Sequence, residues 1–193
     1  SGKKTIFKEI QRVRPGEVIV LKDGKINESI IAKLPAQKKQ KKVLDDNFVF
    51  KNLKECVETH LRSDVPYCLF YSGGIDSTLI MYFMHILNLN KKICAYSVNF
   101  ENNDKTAYEL TKNLKNQFNI ELNQIKFTEE DFWNILPFAA KKIDEPIADY
   151  AILPTFKMAS EASKNFKVAL SGEGGDELFA GYGRYKSLRS PYK

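Results

Sequence analysis

The sequence predicts an α/β fold, a mostly parallel sheet with helices on both faces, preceded by a short β-hairpin leader. From about residue 45 onward, short apolar runs alternate with stretches whose apolar residues recur at helical spacing, which indicates parallel strands joined by helices. Before that point, Asp23-Gly24 separates two strand-like runs, a strong hairpin signal. Because parallel sheets bind ligands where their strands end, function is expected in the loops that follow the strands.

Length and composition are typical of a globular protein. The chain has 193 residues, of which 43% are hydrophobic and 28% charged, enough to bury a core. No apolar run in the sequence approaches the roughly 18 residues that a membrane span needs, so we expect a soluble, cytoplasmic protein without membrane contact. The cysteines Cys56, Cys68 and Cys94 have no paired spacing, so we expect them to pack in the core rather than form disulfides.

Residues 1–42 are predicted to form a leader that is separate from the main domain at residues 43–193. The leader contains the hairpin, with strands expected at Val18–Leu21 and Ile26–Ile31, and it ends in a basic run at Lys38–Lys42. A basic run without interleaved aromatic residues is usually a solvated linker, which we favour over a nucleic-acid contact. RNA binding that weakens with added salt would support the alternative.

After a first helix, the main domain is predicted to follow the order β-α-β-α-β-α-α-β. Apolar spacing and Asp45 or Asp46 as an N-cap predict its first helix. The expected elements are helix Asp45–Ser63, strand Tyr67–Tyr71, helix Ser77–Leu89, strand Ile93–Phe100, helix Asp104–Phe118, strand Glu121–Phe127, helix Glu129–Lys142 with an interruption near Pro137, helix Leu153–Ser163 and strand Phe166–Leu170. This alternation predicts parallel strands with crossover helices.

The first candidate site is the loop Ser72-Gly73-Gly74-Ile75-Asp76-Ser77-Thr78, which follows the first strand of the main domain. Adjacent glycines let an anion approach backbone N–H groups, and the hydroxyls add donors at the positive end of the next helix. The loop lacks the spacing and the lysine of a Walker A loop. Because Asp76 would repel a bare phosphate, the sequence predicts a pyrophosphate group bridged by a metal ion.

The second candidate site is the loop Ser171-Gly172-Glu173-Gly174-Gly175-Asp176-Glu177, after the last predicted strand. Its glycines allow close backbone approach, whereas three carboxylates in one loop are costly unless cations or a catalytic role balance them. Glu177 suits the first turn of a helix, where acids complement the helix dipole. For Glu173 and Asp176 we favour a functional role, since this loop and the first loop each follow a strand of the same predicted sheet.

Both loops carry a resemblance to known families. Ser72–Ser77 resembles the S-G-G-x-D-S pyrophosphate loop of ATP pyrophosphatases, and Leu170–Tyr182 resembles the second signature of the asparagine synthetase family, L-S-G-E-G-[SG]-D-E-x-F-x-G-Y. Asp144-Glu145-Pro146 matches the family's D-E-P element, and Val13–Glu17 is similar to the seam between its glutaminase and synthetase domains. The resemblance covers nearly the whole chain and implies an adenine nucleotide alpha hydrolase-like fold.

The resemblance implies a role for each matched residue. The implied ATP-binding residues are Phe70 and Val98 at the adenosine, Ser72, Gly73, Gly74, Asp76 and Ser77 around the β- and γ-phosphates, and Ser171 and Gly172 beside them. Asp76 and Asp176 would hold Mg²⁺, which suits carboxylate and phosphate oxygens. The implied catalytic residues are Glu173, Asp176 and Asp104, although Asp104 equally suits the N-cap of its predicted helix.

The implied activity is an ATP-dependent amide ligation. A carboxylate, with aspartate favoured, would be activated as an acyl-adenylate with release of pyrophosphate, and ammonia from glutamine would then displace AMP to give asparagine. Another acceptor, such as a sugar acid of cell-surface polysaccharides, stays open. So do a tRNA-modifying relative of the same superfamily and a nucleotide-binding fragment without turnover.

The resemblance also implies partners and limits. A glutaminase domain is expected upstream, and a homodimer is compatible with the family. None of the three cysteines matches the family's N-terminal nucleophile, so this chain is not expected to hydrolyse glutamine. We expect it to be the core of a synthetase domain cut at both ends, and we do not expect full turnover from it alone.

Overall fold

The computed structural model describes residues 2–32, 45–88, 91–100, 117–146, 149–183 and 185. The chain divides into two compact units. The first comprises Ser1–Leu44 with Ile143–Ala148, and the second comprises Asp45–Lys142 with Asp149–Lys193. The predicted boundary at residues 42 and 43, the basic run, and residues 104–116 of the third predicted helix lie outside the described residues.

In the first unit, the predicted hairpin is confirmed. Strands β1 (Glu17–Lys22) and β2 (Lys25–Ile31) pair antiparallel, with Glu17 opposite Ile31 and Lys22 opposite Lys25. Asp23 and Gly24 form the turn with φ values of 53° and 73°. These left-handed conformations suit aspartate and glycine and match the twist of the two strands.

A buried carboxylate fixes the start of this hairpin. Glu17 Oε2 accepts hydrogen bonds from the Arg14 backbone N–H at 2.9 Å and from Arg14 Nε at 3.3 Å. Glu17 Oε1 accepts one from Ser29 Oγ at 2.9 Å and lies 3.3 Å from Lys3 Nζ. These donors, the Arg14 N–H first among them, lower the pKa of Glu17 from its ordinary 4.5 to about 2.

The second unit contains a four-stranded parallel sheet of β3 (Tyr67–Phe70), β4 (Ile93–Phe100), β5 (Ile120–Phe127) and β6 (Val168–Leu170). The strand order is β5-β4-β3-β6. From β3 the chain moves outward to β4 and β5 and then crosses to the opposite side of β3. The order therefore reverses between β3 and β6, and such reversals leave a crevice at the carboxyl ends of the strands.

Five helices lie in the described part of the second unit: α1 (Asp46–His60), α2 (Ile75–Leu87), α3 (Glu129–Lys142), α4 (Ile152–Ala162) and α5 (Gly175–Phe179). Asp45 is the N-cap of α1, as predicted, and its Oδ1 accepts from the N–H of Asn47 at 3.2 Å.

Both faces of the sheet are covered, which confirms the predicted fold class. On one face Leu69 packs with Met81 and Met84 of α2 and with Val57 of α1. On the other face Cys68 packs with Ala162 of α4. Because neighbouring residues of a strand point to opposite faces, β3 carries part of both cores.

One polar network holds α3 and α4 against the end of β5. Thr128 Oγ1 and Asp131 form a reciprocal cap, with Asp131 Oδ2 accepting from the Thr128 N–H at 2.8 Å and the Asp131 N–H donating to Thr128 Oγ1 at 3.1 Å. Lys157 Nζ of α4 lies 2.6 Å from Asp131 Oδ2 and donates to the Lys126 carbonyl at 2.7 Å. The ammonium group of Lys157 lowers the pKa of Asp131.

Two local predictions were wrong. Helix α3 runs without a break through Pro137, because packing of Phe132, Ile135 and Ala139 against Phe127 and Leu153 offsets the single hydrogen bond that proline removes. Cys56 is exposed rather than packed in the core, since it lies one residue from Val57, which takes the inward position on α1. Among the described residues no helix is long and apolar enough to cross a membrane.

We predict that the Glu17 carboxylate titrates near pH 2. Its lowered pKa means that it stabilises the hairpin fully above its unfolded pKa of about 4.5 and that this contribution is lost as pH falls toward 2. The Arg14 amide proton, observed by NMR between pH 6 and 1.5, should therefore shift with a midpoint near 2. Glu17→Gln should abolish that shift, and Glu28→Gln on β2 should leave it unchanged. A midpoint near 4.5 in the wild type would contradict the buried cluster.

Candidate functional site

The two glycine-rich loops leave neighbouring strands at the reversal of strand order. Tyr67 pairs with Val168 and Leu69 with Leu170, so the two strands end side by side. The Tyr71 N–H donates to the Tyr96 carbonyl at 2.8 Å, which continues the pairing with β4 up to the first loop. Both loops therefore lie at the same crevice.

Hydroxyl groups hold the first loop in shape. Gly73 has a φ of 82°, a conformation that favours glycine, and Gly74 is the N-cap of α2. Ser77 is 2% exposed; its Oγ donates to the Gly74 carbonyl at 3.1 Å and accepts from the Ser72 N–H at 3.3 Å. The buried side chain of Ser77 thus links Ser72 to Gly74 and fixes the conformation of the loop.

The second loop is a tight turn that opens α5. Gly174 has a φ of 91° and caps α5, and the Gly175 N–H donates to the Gly172 carbonyl at 3.2 Å. The Glu173 N–H donates to Ser171 Oγ at 3.4 Å. In this turn Glu173 precedes Gly174-Gly175 and Asp176 follows them.

The two loops touch each other through glycine. A Cβ on Gly172 would lie 2.9 Å from the backbone N of Ser77 and 3.0 Å from Cβ of Asp76. A Cβ on Gly175 would lie 2.6 Å from Oδ1 of Asp76. The 2.9 Å distance to the Ser77 backbone is shorter than real Cβ atoms show, so the missing side chain at Gly172 is what lets the two backbones approach this closely.

A cavity of about 580 Å³ opens beside this contact, within the size range of small-molecule sites. Nine predicted site residues line it, namely Phe70, Ser72, Asp76, Ser77, Val98, Ser171, Gly172, Glu173 and Asp176. Gly73 and Gly74 belong to the loop but do not line the cavity. Asp104 lies outside the described residues. The structure therefore brings most of the predicted residues to one place, and their roles stay predictions.

Sequence reasoning missed part of the cavity wall. Tyr71, Phe100, Ala151, Pro154, Thr155, Met158, Glu177 and Tyr182 also line the cavity. The lining residues at α4 follow a loop between two helices, so no strand end in the sequence indicated a site there. Glu177 lies in the first turn of α5, as predicted, and its Oε1 also accepts a hydrogen bond from Tyr182 Oη at 2.6 Å. Glu177 and Tyr182 lie within Leu170–Tyr182, the stretch that resembles the second family signature, so the sequence did carry a signal for these two residues.

The cavity is acidic. The carboxylates of Asp76, Glu173, Asp176 and Glu177 line it, and no lysine or arginine is among its described lining residues. An anionic ligand would therefore need to bring a cation. Among the described residues no cluster of three or more His, Cys, Asp or Glu could hold a metal ion alone. Two carboxylates in one cavity fit Mg²⁺ that is completed by phosphate oxygens and water, its usual arrangement with nucleotides.

Comparison with known proteins agrees with this geometry. Residues 49–193 match the family described as asparagine synthase. Asparagine synthetase (glutamine-hydrolysing) 1 of Bacillus subtilis is 34% identical over 94% of the chain. A Methanocaldococcus jannaschii protein, provisionally named as asparagine synthetase (glutamine-hydrolysing) 2, is 37% identical over 68% of the chain. The chain spans only 29% and 25% of the lengths of these two relatives.

A solved structure overlaps much of this chain. The NH3-dependent NAD synthetase of Campylobacter jejuni overlaps 73% of this chain and 62% of its own, with a TM-score of 0.49 and 19% identity. That likeness is too distant to bear on function.

We predict that Gly172→Ala separates the loops. The new methyl group would collide with the Ser77 backbone, so we expect a cost of about 1–3 kcal/mol in unfolding free energy. Urea unfolding monitored by circular dichroism measures this cost. Gly183→Ala is the matched control, because a Cβ there meets no atom within 4 Å. Equal stability of the two variants would show that the loops do not touch as described.

Proposed function

Because the chain belongs to the asparagine synthase family, we propose that its cavity binds ATP and activates a carboxylate for amidation. The observation that carries the proposal is the meeting of two glycine-rich loops and their carboxylates in one cavity at the reversal of strand order. Crevices of this kind are the usual nucleotide sites of parallel sheets. The family match supplies the reaction class, and the geometry suits it.

The first loop would receive the β- and γ-phosphates. Backbone N–H groups of the loop and the start of α2 offer donors and a positive dipole end. Phe70 and Val98, on adjacent strands β3 and β4, line the same cavity and would contact the adenosine. Ser171 and Gly172 would complete the nucleotide pocket from the second loop. ATP would thus lie across the ends of β4, β3 and β6.

Asp76 and Asp176 would hold Mg²⁺ against the β- and γ-phosphates. Once bound, the ion would neutralise the charge that builds on the departing pyrophosphate. A cation is needed here because four carboxylates already line the cavity and would otherwise repel the phosphates. ATP without a divalent cation should accordingly bind poorly.

Two steps would follow. A carboxylate oxygen of the acceptor attacks the α-phosphorus, the α–β phosphoanhydride bond breaks, and acyl-adenylate and pyrophosphate form. Ammonia then attacks the acyl carbon, AMP leaves, and an amide and one proton are released. The protein aligns the reacting atoms and stabilises the charge of the leaving group. Glu173, at the cavity and next to Gly172, would assist adenylate formation.

The acceptor we favour is aspartate, with asparagine as product. A different carboxylate, such as a sugar acid, would use the same chemistry, and the described lining residues do not separate the two. Both named relatives carry glutamine-hydrolysing names, so we propose that the ammonia comes from glutamine hydrolysed by a glutaminase domain. The chain is proposed to act in the cytoplasm.

We predict ATP–pyrophosphate exchange that requires Mg²⁺ and aspartate. Radiolabelled pyrophosphate should enter ATP only when both are present, and Glu173→Gln should slow this exchange by about 100-fold or more, the usual scale for a general acid or base. Glu161→Gln is the control, because Glu161 of α4 pairs with Lys164, which follows that helix, and does not line the cavity.

A panel of other carboxylates identifies the acceptor in the same assay. Exchange that depends on a different acid would keep the mechanism and replace the substrate. If no carboxylate supports exchange although MgATP binds, adenylate formation by this chain is refuted and only nucleotide binding is supported.

A further inference from the structure

The turn that follows α5 folds back over Asp176. Ala180 ends the helix in a left-handed conformation with a φ of 56°, and its N–H donates to the Asp176 carbonyl. The Gly181 N–H donates to the same carbonyl at 3.0 Å. Turns with a left-handed residue are common at helix ends, because they satisfy carbonyl groups that the helix leaves open. This turn brings the backbone of Gly181 against Asp176, near the start of the same helix.

Gly181 leaves space for the Asp176 carboxylate. A Cβ on Gly181 would overlap Oδ1 of Asp176, and it would lie 3.0 Å from Cγ and 3.3 Å from Cα of that residue. The carboxylate therefore occupies the place that a side chain at position 181 would take. The backbone does not itself require glycine here, because the positive φ in this turn belongs to Ala180 and not to Gly181. Space for the carboxylate is the physical reason for the glycine.

The residue after Gly181 ties the turn to the helix a second time. Tyr182 Oη donates to Glu177 Oε1 at 2.6 Å, the short distance that is typical of a hydroxyl bonded to a carboxylate. Tyr182 also packs against Tyr185, with ring centroids 5.8 Å apart. Side-chain contacts as well as backbone hydrogen bonds thus hold Gly181 over Asp176.

The direction of the Asp176 carboxylate depends on this packing. Asp176 lines the cavity of about 580 Å³, whereas Gly181 does not. Within the part of the chain that the structure describes, no hydrogen bond or ion pair fixes the Asp176 carboxylate. A methyl group at position 181 would therefore turn the carboxylate to another rotamer, while the backbone of Asp176 would need to give way by only a few tenths of an ångström.

We propose that Gly181 is a positioning residue for Asp176. Because it has no Cβ, it lets the Asp176 carboxylate lie at the cavity, where that carboxylate would hold the Mg²⁺ of a bound nucleotide. The inference rests on the proposed function, since metal binding by Asp176 is part of that proposal. It gives a role at the site to a residue that does not line the cavity.

The χ1 angle of Asp176 tests the positioning without any ligand. NMR measures it through three-bond couplings to the carboxylate carbon. The wild type should show one rotamer, and Gly181→Ala should move the side chain to a different one. Gly183→Ala is the matched control, because a Cβ there meets no atom within 4 Å, and it should keep the wild-type χ1.

Two results of these measurements would overturn the inference. The first is an unchanged χ1 of Asp176 in Gly181→Ala. The second is a urea midpoint for unfolding that is much lower in Gly181→Ala than in Gly183→Ala, because the glycine would then serve folding and not the direction of one carboxylate.

The affinity for MgATP, measured by calorimetry, tests the consequence at the site. Gly181→Ala should raise the Kd by about tenfold or more, the usual scale for loss of a group that orients a metal ligand, and Gly183→Ala should not. In an Asp176→Ala background, Gly181→Ala should change the Kd by less than about twofold, because no carboxylate remains to be turned away.

An unchanged Kd in Gly181→Ala contradicts the positioning role. So does a tenfold effect that persists in the Asp176→Ala background, since Gly181 would then act through another group. A wild type that does not bind MgATP would instead refute the proposed function, and the χ1 measurement would still decide whether Gly181 directs Asp176.

Discussion

The close approach of Gly172 to the backbone of Asp76 and Ser77 is the constraint on which the candidate site depends. Strands β3 and β6 lie side by side and end together, but this alone would only bring two loops near one another. The absence of a side chain at Gly172 and Gly175 lets the second loop rest directly on the start of α2. The cavity is the space left beside that contact.

Charge limits which ligands this cavity could hold. Four carboxylates line the cavity, and no basic residue among its described lining residues offsets them. A free phosphate would be repelled there, whereas the nucleotide that we propose would bring Mg²⁺ to offset the carboxylates. The acidic wall and the glycine-rich loop would therefore act together on the proposed ligand, the loop on its phosphates and the wall on its metal ion.

Much of the fold could be predicted because the strands have unambiguous apolar patterns. The bounds of β4 agree with the prediction, and β5 differs at one end by one residue. Strand β6 begins at Val168 and not at Phe166, because the Phe166 N–H still donates to the Ala162 carbonyl at the end of α4. Such competition between a helix end and a strand start depends on tertiary packing, which sequence patterns do not record.

The candidate site likewise has one part that the sequence predicts and another part that depends on tertiary packing. Residues in loops that follow strands could be predicted, since strand ends meet at one edge of a parallel sheet. The α4 wall could not, because it depends on how a helix packs across the sheet. Tyr182 returns to Glu177 through a turn at Ala180 with a φ of 56°, and a left-handed alanine is not expected from sequence.

We propose that both loops form one MgATP site, and an NMR titration of the backbone amides tests this most directly. Amides of residues 72–77 and 171–176 should shift together on adding MgATP, with one shared Kd, while amides of the β1–β2 turn stay unchanged. Shifts in only one loop, or different Kd values for the two, would contradict a single site built from both.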